Sequence, residues 1–200
     1  MPNLTNVVVS EFALVHKDDI TVIGGSHSVP LSQLDIGTLA LYVPFPSYDY
    51  CMSILQGSNE ITNLVIGTNA CPFENATVFD LSVYPKLKTL KIGSESFEYV
   101  NVFNITGLSE LESVEIGKNS FTKYMNGYDI KPDPNRHFYL KNCPKLKSLK
   151  IGSYSFSDYT VIEIENVPAL ETVEIGDLND NSYNFAYASF ELKSIRIHNE

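Results

Sequence analysis

Seven times this 200-residue chain writes one short frame, L-x-x-[LV]-x-I-G or a near variant of it. Copies begin at Leu31 (LSQLDIG), Ile61 (ITNLVIG), Leu87, Leu111, Leu146, Leu170 (LETVEIG) and Leu192 (LKSIRIH), at steps of 30, 26, 24, 35, 24 and 22 residues. Two of them are nearly identical over eleven residues, LKTLKIGSESF at 87–97 and LKSLKIGSYSF at 146–156. Between them LESVEIGKNSF, at 111–121, puts Glu where both have Lys in the frame. A unit of 22 to 26 residues with three to five apolar anchors cannot bury a core alone, so neighbouring units must stack and continue one another's sheet. The period predicts a repeat solenoid.

Inside the frame, [LV]-x-I alternates with period two, so Leu90 and Ile92 face one way and Thr89 and Lys91 the other. A second strand-like frame precedes four copies: VFDLSVYPKL, VFNITGLSEL, HFYLKNCPKL and VIEIENVPAL. Each repeat therefore carries two short strand segments, and the chain should be β-rich with little helix. The Gly that closes the frame, at 37, 67, 93, 117, 152 and 176, is expected to permit a close turn or a positive φ. Phe97, Phe121 and Phe156, with Cys71 in the same place, are expected to fill the core at that turn. Residues 1–30 break the frame, yet NVVV, FALV and ITVI are strand-like and read as an N-terminal cap or degenerate repeats. Residues 31–200 form the solenoid of about seven repeats, with an insertion near 122–137 where the step of 35 exceeds the basal 24 by about 11.

Stacking the copies turns rows into columns. One column runs Asp35, Val65, Lys91, Glu115, Lys150, Glu174, Arg196; another runs Ser32, Thr62, Lys88, Glu112, Lys147, Glu171, Lys193. From the third rung the sign alternates in both. Adjacent parallel strands lie about 4.8 Å apart, so like charges in register repel and opposite charges pair. Lys91, Glu115, Lys150, Glu174 and Arg196 are thus read as a structural charge ladder, with a neutral column of Gln33, Asn63, Thr89, Ser113, Ser148, Thr172 and Ser194 beside it.

The pattern L-x-x-L-x-I-x-x-N-x-F in ITNLVIGTNAC and LESVEIGKNSF resembles the leucine-rich repeat family, nearest its irregular BspA-like branch, over about residues 31 to 197. That resemblance implies a parallel sheet of short strands and a role in protein recognition, with another protein as partner. The family's ladder Asn stands at Asn69 and Asn119 but is Glu95 and Tyr154 in two copies, where either the adjacent Ser96 and Ser155 hydrogen-bond the turn instead or the turn is looser.

A net charge of -10 argues against nucleic acid and anionic membrane as partners. Cys51, Cys71 and Cys143 make no even framework, which predicts free, partly buried thiols and no structural zinc. No stretch approaches the length of a membrane span, and the first residues lack the pattern of a secretory leader. As read, the chain is cytoplasmic; as a piece of a longer surface protein it would be extracellular, and the sequons at Asn3, Asn75 and Asn104, which would fit that, are of a kind that chance alone produces in a Ser/Thr/Asn-rich chain. No Walker loop, nucleophile elbow or H-E-x-x-H occurs, the four His are scattered, and DLNDNS at 177–182 reads as a solvated turn. No metal or cofactor is expected. A parallel β-helix enzyme acting on polysaccharide would need unpaired acids on adjacent rungs, whereas Glu115 and Glu174 each have a Lys neighbour.

The sheet face is internally neutralised and carries no Tyr in its three columns, so recognition is sought elsewhere. Tyrosines gather at 41–50, 121–139 and 181–190. In the insertion, Tyr124, Tyr128, Arg136 and His137 are the candidate partner contacts, on turns set by Asn126-Gly127, Pro132 and Pro134. The function expected is a non-enzymatic protein–protein interaction scaffold. A cell-surface adhesin or glycan-binding module is the alternative, and the polysaccharide enzyme the remote one.

Overall fold

A computed structural model describes residues 6–9, 21–24, 27–30, 38–41, 48–59, 61–179 and 181–193. The chain is a parallel β-solenoid of about five turns with little helix. Sheet one takes the frame strands: β5 (Asn63–Ile66), β7 (Thr89–Ile92), β9 (Ser113–Ile116), β11 (Ser148–Ile151) and β13 (Thr172–Ile175), each parallel to the next. Ahead of β5 it continues through β4 (Thr38–Leu41) to β1 (Asn6–Val9). Sheet two takes the second frame, in the order β6 (Val78–Asp80), β8 (Val102–Thr106), β10 (Asp133–Lys141), β12 (Tyr159–Glu165) and β14 (Ser189–Lys193). A separate antiparallel hairpin joins β2 (Thr21–Gly24) to β3 (His27–Pro30), and α1 (Tyr48–Gln56) packs at the β6 end.

The period-two alternation builds the core directly. Leu64, Leu90, Val114 and Leu149 stack in register from sheet one, as do Ile66, Ile92, Ile116 and Ile151, and all are buried. From sheet two Phe79, Phe103, Phe138 and Ile162 stack to meet them, and Leu87, Leu111 and Leu146 fill one corner. The other corner is a column of rings, with Phe97, Phe121, Phe156 and Phe185 nearly parallel at 5.1, 4.7 and 5.1 Å between centroids.

At that ring corner the backbone departs from the simplest expectation for the glycines. Gly93, Gly117 and Gly152 do not take a positive φ; instead a Cβ on Gly117 would sit 2.5 Å from the backbone nitrogen of Ser94 on the rung below. Glycine is needed there for close approach. Positive φ falls two and four residues later, at Glu95 and Phe97, Asn119 and Phe121, Tyr154 and Phe156, and at Tyr183 and Phe185. A non-glycine residue so held costs of order 1 kcal/mol or more, which the buried ring offsets.

A serine ladder, and not an asparagine one, binds these corners together. Ser96 Oγ donates to the Gly67 carbonyl (3.1 Å) and accepts from the Ala70 amide (3.1 Å). Ser120 repeats this with Gly93 (2.9 Å) and Ser96 (3.3 Å), and Ser155 with Gly117 (2.7 Å) and Ser120 (3.0 Å). Asn184 takes over on the next turn, donating to the carbonyls of Gly152 and Ser155. Asn69 is exposed, and Asn119 turns its side chain to Asn126.

Three sequence expectations need correction. The copy at Leu31 spans 31–37, Asp35 included, and lies outside the described residues; the rung beside β5 is held by β4, with Ala40 opposite Val65. At the other end Leu192 and Lys193 lie on sheet two beside Ile164 and Glu165, not on sheet one beside Glu171. Arg196 lies outside the described residues. The cysteines are not all free: Cys51 of α1 is bonded to Cys71 at the first ring corner, with Cα atoms 5.0 Å apart, and Cys143 alone is a buried free thiol. Two cysteines 20 residues apart carry no pairing signal in sequence; the helix that brings them together is a tertiary feature.

The charged column stands on the outer face of sheet one in the register Lys91, Glu115, Lys150, Glu174. Lys91 Nζ lies 2.9 Å from Glu115 and Lys150 Nζ 3.0 Å from Glu174. Lys150→Glu would set three carboxylates on consecutive rungs and is expected to cost on the order of 1 kcal/mol at low salt, less at high salt. Adding Glu115→Lys and Glu174→Lys should restore part of that stability in urea melts. A triple variant no more stable than the single one would contradict the register.

Candidate functional site

The long step between repeats is spent partly inside the stack. Residues 133–137, assigned to the insertion from sequence, belong to β10, with Asp133 opposite Tyr159 and a register shift before His137 meets Val161. The part that leaves the sheets is 123–132, and it folds back over the ring corner. Thr122 Oγ1 and Ser157 Oγ share a buried hydrogen bond of 2.7 Å, and the Tyr124 amide donates to Thr122 Oγ1. Asn126 and Asn119 exchange two hydrogen bonds, amide to Oδ1 (2.8 Å) and Nδ2 to Oδ1 (3.2 Å). Gly127, at φ +73, lies flat on the rings of Tyr154 and Tyr183, and a Cβ there would be 2.7 Å from the Tyr183 ring. Any side chain at 127 would lift the loop.

The loop thus meets the 181–190 segment, which sequence reading kept apart from it. Tyr154 and Tyr183 stack at 6.2 Å and 24°, Lys118 Nζ sits 5.1 Å over Tyr154, and Tyr187 donates its hydroxyl to the Ile130 carbonyl at 3.3 Å. Along this edge Tyr128 is 79% exposed, with Met125, Tyr183 and Tyr187 also open to solvent. These form an aromatic surface on a scaffold of buried and half-buried hydrogen bonds. The signal for it lay in two near-identical words, SYSF at 153–156 and SYNF at 182–185, which place Tyr154 and Tyr183 in one column.

Of the four sequence candidates, Tyr128 stands on this surface and Tyr124 is half-buried at the base of the loop. Arg136 is not a surface contact. Its side chain and that of Asp158 are both 0% exposed, with Nη1 to Oδ2 at 2.5 Å. Nη2 donates to the carbonyls of Glu98 and Val100, and the guanidinium stacks over Tyr159 at 5.1 Å. Asp158 also accepts from the Lys123 amide (3.4 Å), so the pair anchors the root of the loop from inside. His137 turns to the outer face of sheet two and is tied at both ring nitrogens, Nε2 to the Pro134 carbonyl (2.9 Å) and Nδ1 to the Tyr139 hydroxyl (2.8 Å). Since a carbonyl only accepts, Nε2 carries the proton and Tyr139 donates to Nδ1 in the neutral ring.

Asp133 closes the loop. Partial burial works against its charge, yet the Asn135 amide and the Lys123 ammonium at 3.6 Å hold its carboxyl below the usual carboxylate range. Burial pushes the Tyr159 phenol well above its ordinary value, and its hydroxyl donates to the Val100 carbonyl at 2.6 Å. Among the described residues no group of three or more His, Cys, Asp or Glu could hold a metal ion, and no helix is long and apolar enough to cross a membrane. No protein-family model, curated protein or solved structure matches the chain.

Proposed function

We propose that the chain is a non-enzymatic protein–protein interaction scaffold of the leucine-rich-repeat type, near the irregular BspA-like branch, and that it binds another protein through the tyrosine edge. The observation that carries this reading is the exposure of Met125 and Tyr128, on a loop hydrogen-bonded down onto the stack, beside Tyr183 and Tyr187 of the segment that the loop meets. Tyrosine supplies large amphipathic contact area and is enriched among the residues that dominate interface energetics. A loop already fixed by Asn119, Gly127 and the buried Arg136–Asp158 pair loses little entropy on binding.

We place the chain outside the cytoplasm. The Cys51–Cys71 bond supports that arm of the localisation reading, because such bonds persist in oxidising compartments, and Asn75 of one sequon lies exposed on a turn four residues beyond Cys71.

The test compares Tyr128→Ala/Tyr187→Ala with the parent chain, both as bait for proteins and on a glycan array. The double variant should fold normally and bind the captured protein at least tenfold more weakly. Equal binding by both chains would overturn the site, and tyrosine-dependent binding confined to the glycan array would replace this reading by the adhesin one.

A further inference from the structure

Between the first ring corner and β6 the chain makes one tight turn, FENA at 73–76, closed by the Ala76 amide on the Phe73 carbonyl at 2.9 Å. Both ends of it are fastened. Cys71, two residues earlier, is bonded to Cys51 of α1; Ala76 is buried, and the Thr77 carbonyl accepts from the amides of Asn101 and Val102 on the following turn of the stack. Asn75 is held out at the tip, exposed, as is Thr77. Phe73 and Asn75 both meet Tyr48 of α1, so their side chains lie on one side of the turn. The Phe73 ring stands edge to face with that of Tyr48 at 5.7 Å and 87°, and Asn75 Nδ2 donates to the Tyr48 hydroxyl at 3.1 Å. The amide nitrogen thus sits at the rim of a pair of rings of which Phe73 is half-buried and Tyr48 44% exposed.

Asn75-Ala76-Thr77 is also an acceptor triplet for an N-linked glycan, a bulky group that needs a surface position. The triplet at Asn104 has different surroundings. Asn104 stands within β8, half-buried, in register between Asp80 of β6 and Tyr139 of β10, and its Oδ1 accepts from Thr106 Oγ1 at 2.5 Å. Asn3 lies outside the described residues.

We propose that Asn75 is an N-glycosylation site and that the first sugar packs on the Phe73–Tyr48 pair, bracing α1 against the ring corner. In the transfer, Asn75 Nδ2 bonds to the anomeric carbon of a lipid-diphosphate-linked oligosaccharide. The bond from that carbon to the diphosphate oxygen breaks, the lipid diphosphate leaves, and one of the two amide protons passes to a base of the transferase. A pyranose ring has polar edges but an apolar C–H face, and that face covers aromatic surface that water otherwise meets. The proposal rests on the placement of the chain outside the cytoplasm, which the Cys51–Cys71 bond supports on its own, and it does not involve the tyrosine edge.

For the test, the chain is expressed behind a secretory leader in eukaryotic cells, and the secreted protein is mapped by mass spectrometry for glycans and for the state of its cysteines. The peptide containing Asn75 should carry a glycan that Asn75→Gln removes. Trimming that glycan to its first sugar should leave the melting midpoint in place, whereas cutting the first sugar from the folded chain should lower it by roughly 2–4 °C. Phe73→Leu, which keeps an apolar side chain on the core and removes the ring, should shrink that loss by more than half, and so should Tyr48→Leu, which leaves Phe73 untouched. Asn104→Gln should leave the loss as it is in the parent. A bare Asn75 in a chain with Cys51 and Cys71 joined would overturn the proposal and leave the localisation standing; a bare Asn75 with both cysteines as free thiols would overturn the two together. A loss on cutting that is absent, or equal with and without the rings at 48 and 73, would overturn the seat proposed for the sugar.

Discussion

Arg136→Met is expected to lower the stability of the chain by about 3–5 kcal/mol, the cost of leaving a buried charge without its partner. The variant strands the Asp158 carboxylate at 0% exposure and takes a donor from the Glu98 carbonyl, while the Val100 carbonyl keeps the Tyr159 hydroxyl. Urea melts followed by circular dichroism measure the loss. Because an apolar pair can replace a buried ion pair at little cost, Arg136→Met/Asp158→Leu should recover a large part of it. A single variant within about 1 kcal/mol of the parent would mean that the pair is hydrated, and not buried as it stands here. The site gives a second readout: without Arg136 to hold it in place the Asp158 carboxylate no longer fixes the Lys123 amide at the root of the loop, and binding at the tyrosine edge should fall as well.

Phe121→Ala is the other large effect, expected at about 3–5 kcal/mol. Its ring touches Phe97, Phe103 and Phe156 at centroid distances of 5.1, 4.5 and 4.7 Å, so its loss opens a cavity where both sheets and the ring corner meet. The backbone there has φ 55, a conformation held against its own preference by the packing of that ring. Removing the ring removes the compensation and keeps the strain. Phe121→Leu, which refills most of the volume, should recover much of the loss in the same melts. If both substitutions were nearly neutral, the rings would not form a continuous core.

What the sequence made legible was what repeats. Leu90 and Val114 are 24 residues apart and perform one task, so stacking the copies reads out the sheet, its register and the order Lys91, Glu115, Lys150, Glu174. The rings at 97, 121 and 156 were visible for the same reason. Where one turn differs from the others, column logic fails. Arg136 looked like a surface cation because Arg is charged and the segment is an insertion, but its burial depends on an acid 22 residues later and on two backbone carbonyls that no periodicity marks. The Cys51–Cys71 bond needs a helix that occurs once. The last copy misled for a related reason: ELKSIRIH satisfies the frame of sheet one letter by letter, whereas β14 reaches sheet two first because Phe185 repeats the corner of Phe156 and the chain must follow the same path onward. Tyr154 and Tyr183 share a column, yet only the loop seated on them by Gly127 makes that column part of a surface.

The stacking of rungs 24 and 35 residues apart in one parallel register underlies every reading above, and backbone proton contacts measured by nuclear magnetic resonance test it most directly. The Lys150 amide should show strong contacts to the α-protons of the Val114–Glu115 strand, and the Glu174 amide to those of Leu149–Lys150, in the one-directional order of parallel neighbours. Contacts displaced by one residue, or the reciprocal α-proton pairs of antiparallel strands, would contradict the solenoid and with it the tyrosine edge.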